Sequence, residues 1–272
     1  RRSPARSAAA AAARRSPLTT RPLPLAQNLG NALKELGELE RAIGCYRQAI
    51  ALRPSHHHAF NNLGNALKEK GAHREALLCY QTAVAISPQF AAAHSNLSSL
   101  LKEVQPPDHL LSIAHSLEAI RIDPNFADAY SNLGNAYREL GQSDAAIHYY
   151  HTALRLNPNS ADVHAHLGST FKDLGRLPDA VAYYRKALAL KPSQHEALCE
   201  LVHTNEFIAD WSERDQGLAM LEATLDAHLA AGLTPSVQPF HAFMYDTLPI
   251  EKIRRLSEAY ARRAEVAAAA LR

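Results

Sequence analysis

Three cysteines, Cys45, Cys79 and Cys199, are all the thiol chemistry that this sequence of 272 residues offers. No two stand as a CxxC pair and their number is odd, which speaks against a disulfide scaffold and against zinc, and favours a reducing compartment. No apolar run approaches the roughly 20 residues that a membrane-spanning helix needs, so no membrane partner is expected. Net charge is scarce as well. Six of the 29 basic residues lie in the acid-free stretch 1–22, so the remainder carries 23 basic against 27 acidic groups, a net −4. A mildly acidic body argues against a phosphate-binding surface, and nucleic acid is not expected as a partner.

The stretch 1–22 itself is rich in Arg, Ala, Ser and Pro. That composition fits an organelle transit segment, a disordered tail or a stray piece of a gene model, and fold reasoning starts after it. From there the chain repeats itself. Pro54, Pro88, Pro124, Pro158 and Pro192 recur at spacings of 34, 36, 34 and 34, and Gly30, Gly64, Gly134 and Gly168 recur in register with Ser98 in the third slot. The units run 23–56, 57–90, 91–126, 127–160 and 161–194. Ala42, Ala76, Ala146 and Ala180 mark one close helix–helix contact. Ala49, Ala83, Ala119, Ala153 and Ala187 mark a second, and Tyr46, Tyr80, Tyr150 and Tyr184 fill a large position between them.

Each unit reads as a helix, a turn at Gly37, Gly71, Gly141 or Gly175, and a second helix stopped before proline. The 34-residue period, with Leu-Gly early, Ala-x3-Tyr-x2-Ala later and Pro near the end, resembles the tetratricopeptide repeat. The expected fold is therefore all-α: a right-handed superhelix of stacked hairpins over 23–209, with a half-repeat at about 195–209. A helical linker over 210–272 follows a break at Asp210-Trp211. Its last helix, about 250–270, would set Ile250, Ile253, Leu256 and Tyr260 on one side. Repeat three departs from the others. It is two residues longer, has Pro106-Pro107 between its helices and carries Ser116 in the tyrosine slot, which reads either as a tolerated loop insertion or as a softer hinge. Cys45 and Cys79 share one repeat position and are expected to be packed thiols too far apart to bridge.

The first helices carry polar pairs three residues apart: Asn28/Asn31, Asn62/Asn65, Asn96/Ser99 and Asn132/Asn135, with His166/Ser169 in the fifth unit. Residues i and i+3 share a helix face, so stacking turns them into a ladder. Asparagine is a mediocre helix former, so its presence twice per repeat points to a task on that face. A carboxamide has donors and an acceptor and can bond both sides of a peptide unit of an extended chain. The same residues could instead solvate the face or stitch neighbouring helices together. The preceding positions, Gln27, Asn61, Ser95, Ser131 and Ala165, include no basic residue, which disfavours a clamp for a chaperone's C-terminal carboxylate. Metal binding is not expected at His56-His57-His58, where adjacent side chains diverge. The acceptor-like Asn96-Leu97-Ser98 lies inside a helix and is discounted as a glycosylation site.

The segments NLGNALKE and AHSNL, the Asp210-Trp211 break and above all PSVQPFHAFMY at 235–245 resemble nucleocytoplasmic protein O-GlcNAc transferases, most closely the plant-type SECRET AGENT branch. The resemblance covers about 23–270. It implies an asparagine-lined arm that presents extended or disordered protein segments to a transferase, which moves N-acetylglucosamine from UDP-GlcNAc to Ser or Thr. It also implies an active-site position for His241 in a full-length protein, a cytoplasmic and nuclear location with organelle targeting left open, and homo-oligomers through the repeats as an open option. The 272 residues hold no segment suited to a doubly wound sheet or a diphosphate cradle, so this stretch is expected to bind no cofactor and to be inactive alone, as a fragment of a longer protein. Two alternatives stand beside that reading: a non-catalytic peptide-binding scaffold, and part of a SPINDLY-type O-fucosyltransferase.

Overall fold

A computed structural model describes residues 23–104, 106–208, 214–233 and 249–269. His241, the PSVQPFHAFMY segment, the Asp210-Trp211 break and the tail 1–22 lie outside the described residues. Within them the chain forms 13 α-helices and no strand. The chain divides into two compact units, one ending at Leu156 and the other beginning at Asn157, so the division falls directly after the fourth hairpin's second helix.

The first unit holds four hairpins: α1 (Leu23–Glu35) with α2 (Leu39–Leu52), α3 (His57–Glu69) with α4 (His73–Ile86), α5 (Ala91–Glu103) with α6 (His109–Ile122), and α7 (Ala127–Glu139) with α8 (Ser143–Leu156). The turns within hairpins one, two and four share one device. Gly37, Gly71 and Gly141 take φ of 77°, 85° and 73°, a region that only glycine enters freely. At the first of these, Gly37 N–H donates to Lys34 O (2.9 Å) and Glu38 N–H to Leu33 O (2.9 Å), which satisfies the last carbonyls of α1 in a Schellman arrangement. Each second helix stops at the residue before an X-Pro pair, where proline forces an extended conformation on X; Arg53, for example, lies at φ −144°, ψ 94°.

Hairpin three replaces the glycine turn with a five-residue loop, 104–108, against three residues elsewhere, which accounts for its two extra residues. Val104 is extended there, and Asp108 caps α6 by accepting from Leu111 N–H at 2.9 Å.

Packing follows the repeat. Ala42, Ala49, Ala76, Ala83, Ala119 and Ala146 are 0% exposed, and Tyr46, Tyr80 and Tyr150 are 0–1% exposed. Each tyrosine ring lies flat on the glycine of its own hairpin. A Cβ on Gly30, Gly64 or Gly134 would come within 2.5–2.6 Å of a ring carbon. In hairpin three the pair is Ser98 and Ser116 instead. Ser98 Oγ lies 2.6 Å from Ser116 Oγ and 2.9 Å from Ser112 Oγ, and Ser112 donates to the Ser98 carbonyl at 2.9 Å. All three serines are fully buried. Consecutive hairpins touch through α2·α3, α4·α5 and α6·α7, and the first helices also approach one another directly, α1·α3, α3·α5 and α5·α7. The ladder face is the side on which they do so.

In the second unit α9 (Ala161–Asp173) and α10 (Leu177–Leu190) form the fifth hairpin, with Tyr184 on Gly168. Helix α11 (His195–Phe207) packs on both, as the first helix of a further repeat would. Helices α12 (Arg214–Ala230) and α13 (Ile250–Ala269) close this unit around Leu198, Val202, Leu218, Leu221, Leu225, Ile253 and Leu256, with Tyr260 partly buried against them. Ile250 does not join: it is 77% exposed at the first residue of α13, too near the helix start to reach this core.

Candidate functional site

The ladder residues stand on the first helices, and most are half-buried. The geometry corrects the idea that each carboxamide keeps both ends for a ligand. Asn31 Oδ1 accepts from the Tyr46 hydroxyl at 2.8 Å and from Asn62 Nδ2 at 3.0 Å. Asn65 Oδ1 accepts from Tyr80 at 2.7 Å, and Asn135 Oδ1 from Tyr150 at 2.6 Å. The first residue of each pair reaches back to the preceding hairpin. Besides Asn62 on Asn31, Asn96 Nδ2 donates to Asn61 Oδ1 at 2.9 Å, and Asn132 Nδ2 donates to the Ser95 carbonyl and hydroxyl, both at 3.0 Å. Stitching between hairpins is thus part of what the asparagines do. Asn28, on the first hairpin, is exposed.

What remains is ordered. The Nδ2 groups of Asn31, Asn65 and Asn135 and the Oδ1 atoms of Asn62 and Asn96 have no hydrogen-bond partner among the described residues. A donor and an acceptor therefore stand three residues apart on α3, at Asn65 and Asn62. They suit one peptide unit, with its carbonyl on Asn65 and its N–H on Asn62. The pair can thus hold both sides of one peptide unit. A cleft of about 300 Å³ opens here, lined by Asn31, Lys34, Glu35, Tyr46, Asn62 and Asn65. In the second unit the ladder is weaker, because Ser169 Oγ accepts from Tyr184 at 3.1 Å and donates to the Ala165 carbonyl at 3.2 Å.

Sequence reasoning overlooked a basic series one turn beyond the ladder: Lys34, Lys68, Lys102, Arg138 and Lys172, each followed by an acid. It recurs with the period of the repeat, and that recurrence is the signal in the sequence that marks it. Two of these lysines pair with the acid of the next hairpin, Lys34 with Glu69 (3.4 Å) and Lys68 with Glu103 (2.7 Å). Lys172 pairs with Glu200, and Arg138 with its neighbour Glu139 at 3.2 Å. Lys102 makes no ion pair among the described residues.

His57 and His58 pack on the Phe90 ring. Among the described residues no three His, Cys, Asp or Glu side chains stand close enough to hold a metal ion, and no helix is long and apolar enough to cross a membrane. Asn96 sits in mid-helix with its Nδ2 engaged, and Ser98 is buried. None of the three cysteines is joined in a disulfide.

Fold and face together define an all-helical repeat scaffold. Two family models, described as tetratricopeptide repeat and TPR repeat, match residues 131–195 and residues 30–71, 64–103 and 112–141 respectively. Their gap, 104–111, contains the Pro106-Pro107 loop. The chain belongs to the tetratricopeptide-repeat family. Solved structures share the fold. They include a thermophilic TPR protein of Thermus thermophilus (23% identity over 67% of this chain and 98% of that one, TM-score 0.60). Also similar are pilF of Pseudomonas aeruginosa (19%, 80% and 93%, TM-score 0.61) and PilW, a type IV pilus biogenesis factor (19%, 75% and 94%, TM-score 0.66). No curated protein matches the sequence.

Proposed function

We propose that the ladder face of the first unit binds extended polypeptide by its backbone. The observation that carries this is the alternation of an open acceptor on Asn62 with an open donor on Asn65, one helical turn apart beside the cleft. Contacts of this kind read the peptide group and not the side chain, so they select for extended conformation over sequence. The test is fluorescence anisotropy with an uncharged, unstructured peptide. Asn65→Asp and Asn135→Asp together keep an oxygen for Tyr80 and Tyr150 but delete the open donors, and should weaken binding about tenfold while leaving the circular dichroism unchanged. Equal affinity in the variant would refute the reading.

A finer reading is that this face is the substrate-recognition arm of a protein O-GlcNAc transferase, with His241 contributing to the sugar-donor site in a longer chain. Its support is the sequence resemblance, above all PSVQPFHAFMY. The imidazole suits proton transfer near neutral pH. UDP-GlcNAc binding and transfer by the chain extended through its reading frame tests it. An extended chain that transfers no sugar, or transfers fucose, overturns it.

A further inference from the structure

Hairpin three holds two imidazoles against each other. In hairpins three, four and five the residue six after the proline bonds back to the proline's carbonyl: His94 Nε2 to Pro88 O at 3.1 Å, Tyr130 Oη to Pro124 O at 3.2 Å and His164 Nε2 to Pro158 O at 3.2 Å. On the second helices the matching positions hold His115, Tyr149 and Tyr183, so of the three only hairpin three has an imidazole in both. His94 is 6% exposed. Its Nδ1 lies 3.0 Å from His115 Nδ1, with the ring centres 5.2 Å apart, an end-to-end contact and not a stack. A carbonyl only accepts, so His94 carries its proton on Nε2 and offers a bare Nδ1, and the donor is His115 Nδ1–H. The bond ties α6 to α5 and to the loop before it. The next two residues of α5 make the stitches to both neighbouring hairpins, Ser95 accepting from Asn132 and Asn96 donating to Asn61.

We propose that the His94–His115 bond is an acid-released latch, which keeps the middle of the peptide-binding face assembled near neutral pH and lets hairpin three open as the pH falls. A first proton spares the bond only at His115 Nε2, where it places a cation in a half-buried site. A second has to go on His94 Nδ1, the accepting atom, and breaks the bond. An opened hairpin takes up both freely, so acid favours opening. Helices α3, α4 and α7 pack on this hairpin, but the titratable groups that act on His115 are His94 and, on its own helix, Glu118. Burial and His94 lower the His115 pKa, and Glu118 opposes them. Arg121 donates to both Glu118 oxygens, at 2.9 and 2.7 Å, which holds that carboxyl below its usual range and leaves it to offset only part of the cost. The inference rests on the peptide-binding reading and adds a control by pH to the same face.

The experiment measures native-state hydrogen exchange at pH 7.5 and 5.5, corrected for the intrinsic exchange rate, beside anisotropy with the uncharged peptide. Uptake of one to two protons at an ordinary histidine pKa of about 6.5 makes opening about ten- to a hundredfold more frequent at the lower pH. Protection of α6 amides should fall by that factor, and that of α2, which has no histidine, by less than about threefold. The peptide should bind about threefold or more weakly at pH 5.5, since only the closed face is competent. His94→Gln with His115→Asn keeps donors and acceptors at both positions without titrating, and should abolish both pH effects. Nitrogen-15 shifts of the unaltered protein at pH 7.5 give a reading that needs no variant: His94 should be protonated on Nε2 and His115 on Nδ1. The other tautomer at either residue, or equal loss of protection in α2 and α6, refutes the latch and leaves the backbone-binding reading in place. Opening of α6 with unchanged affinity refutes the control of binding. A peptide that binds at neither pH overturns the backbone-binding reading and the control together, while the exchange data still decide the latch.

Discussion

Two glycines in mid-helix should respond to the same substitution with opposite signs. A methyl group on Gly134 would meet three atoms of the Tyr150 ring at 2.5, 2.6 and 2.9 Å, whereas one on Gly44, in the interior of α2, would meet nothing within 4 Å. Both changes to alanine gain helix propensity of about 1 kcal/mol. At Gly134 the ring must retreat by about an ångström against a fully packed hairpin, and overpacking of that kind costs roughly 1–3 kcal/mol. Gly44→Ala should therefore stabilise by up to about 1 kcal/mol, and Gly134→Ala should destabilise by up to about 2 kcal/mol. Hairpin three suggests the remedy, since it carries serine in both slots. Tyr150→Ser alone should cost about 3–5 kcal/mol in lost ring burial. Gly134→Ser with Tyr150→Ser should cost less than the two single changes added, by about 0.5–3 kcal/mol, because the new Cβ enters space the ring has left. Urea and thermal unfolding followed by circular dichroism read all five variants, Gly134→Ser alone included. A rise in Tm for Gly134→Ala, or strict additivity in the double variant, would show that the glycine–tyrosine contact does not set the hairpin's geometry.

Tyr80→Phe should destabilise by about 0.5–1.5 kcal/mol, read by urea unfolding, because the hydroxyl donated to Asn65 is lost from a part-buried network. His115 lies with its Nδ1 3.0 Å from His94 Nδ1, and burial, reinforced by His94 and opposed by Glu118, lowers its pKa below 6.5 in the folded chain. The unfolded chain thus takes up the proton first: stability is complete above about pH 6.5 and falls as the pH drops below it. Tm measured from pH 7.5 to 5.5 should decline, less steeply in His115→Asn. Burial pushes the Cys79 thiol to about 11 and the Cys199 thiol to about 12, so iodoacetamide at pH 8 should label the native protein far more slowly than the protein in urea.

Much of the fold was legible because its determinants recur. Every alanine and tyrosine assigned to a helix contact is buried, and the proline stops fall where the period puts them, since a stack of like hairpins imposes one packing rule at each equivalent position. What did not recur was harder to read. Ile250 shared a helical face with Ile253 and Leu256, but face alone does not say how far along the helix the core extends. At the site, the sequence showed which residues share a face and left their partners hidden. The Tyr46–Asn31 bond joins residues 15 positions apart on different helices, and nothing in a ladder of asparagines reveals that a phenol donates to Asn31, Asn65 and Asn135. The lysine series was harder to read for another reason: which acid each member pairs with is decided by distances across hairpins.

Hairpin three gathers the exceptions, and they bear on its stability in a common direction. Its core holds Ser98, Ser112, Ser116, Ser95 and His94, five of the eight buried polar residues described, while Leu110, Leu111 and Leu117 on α6 are 75%, 40% and 46% exposed. The helix turns its small polar residues inward and its leucines outward. A tyrosine in the Ser116 slot would bury some 150–200 Å², or about 4–5 kcal/mol of transfer free energy. The three serine bonds return about 2–3 kcal/mol of it at about 1 each. The hairpin is left weaker than its neighbours by about 2 kcal/mol, which in native-state hydrogen exchange corresponds to about thirtyfold faster opening. Amides of α6 should accordingly exchange before those of α4 and α8. Equal protection across the three helices would mean that contacts with α5 and α7 make good the deficit, and that the longer loop is a tolerated insertion without effect on the stack.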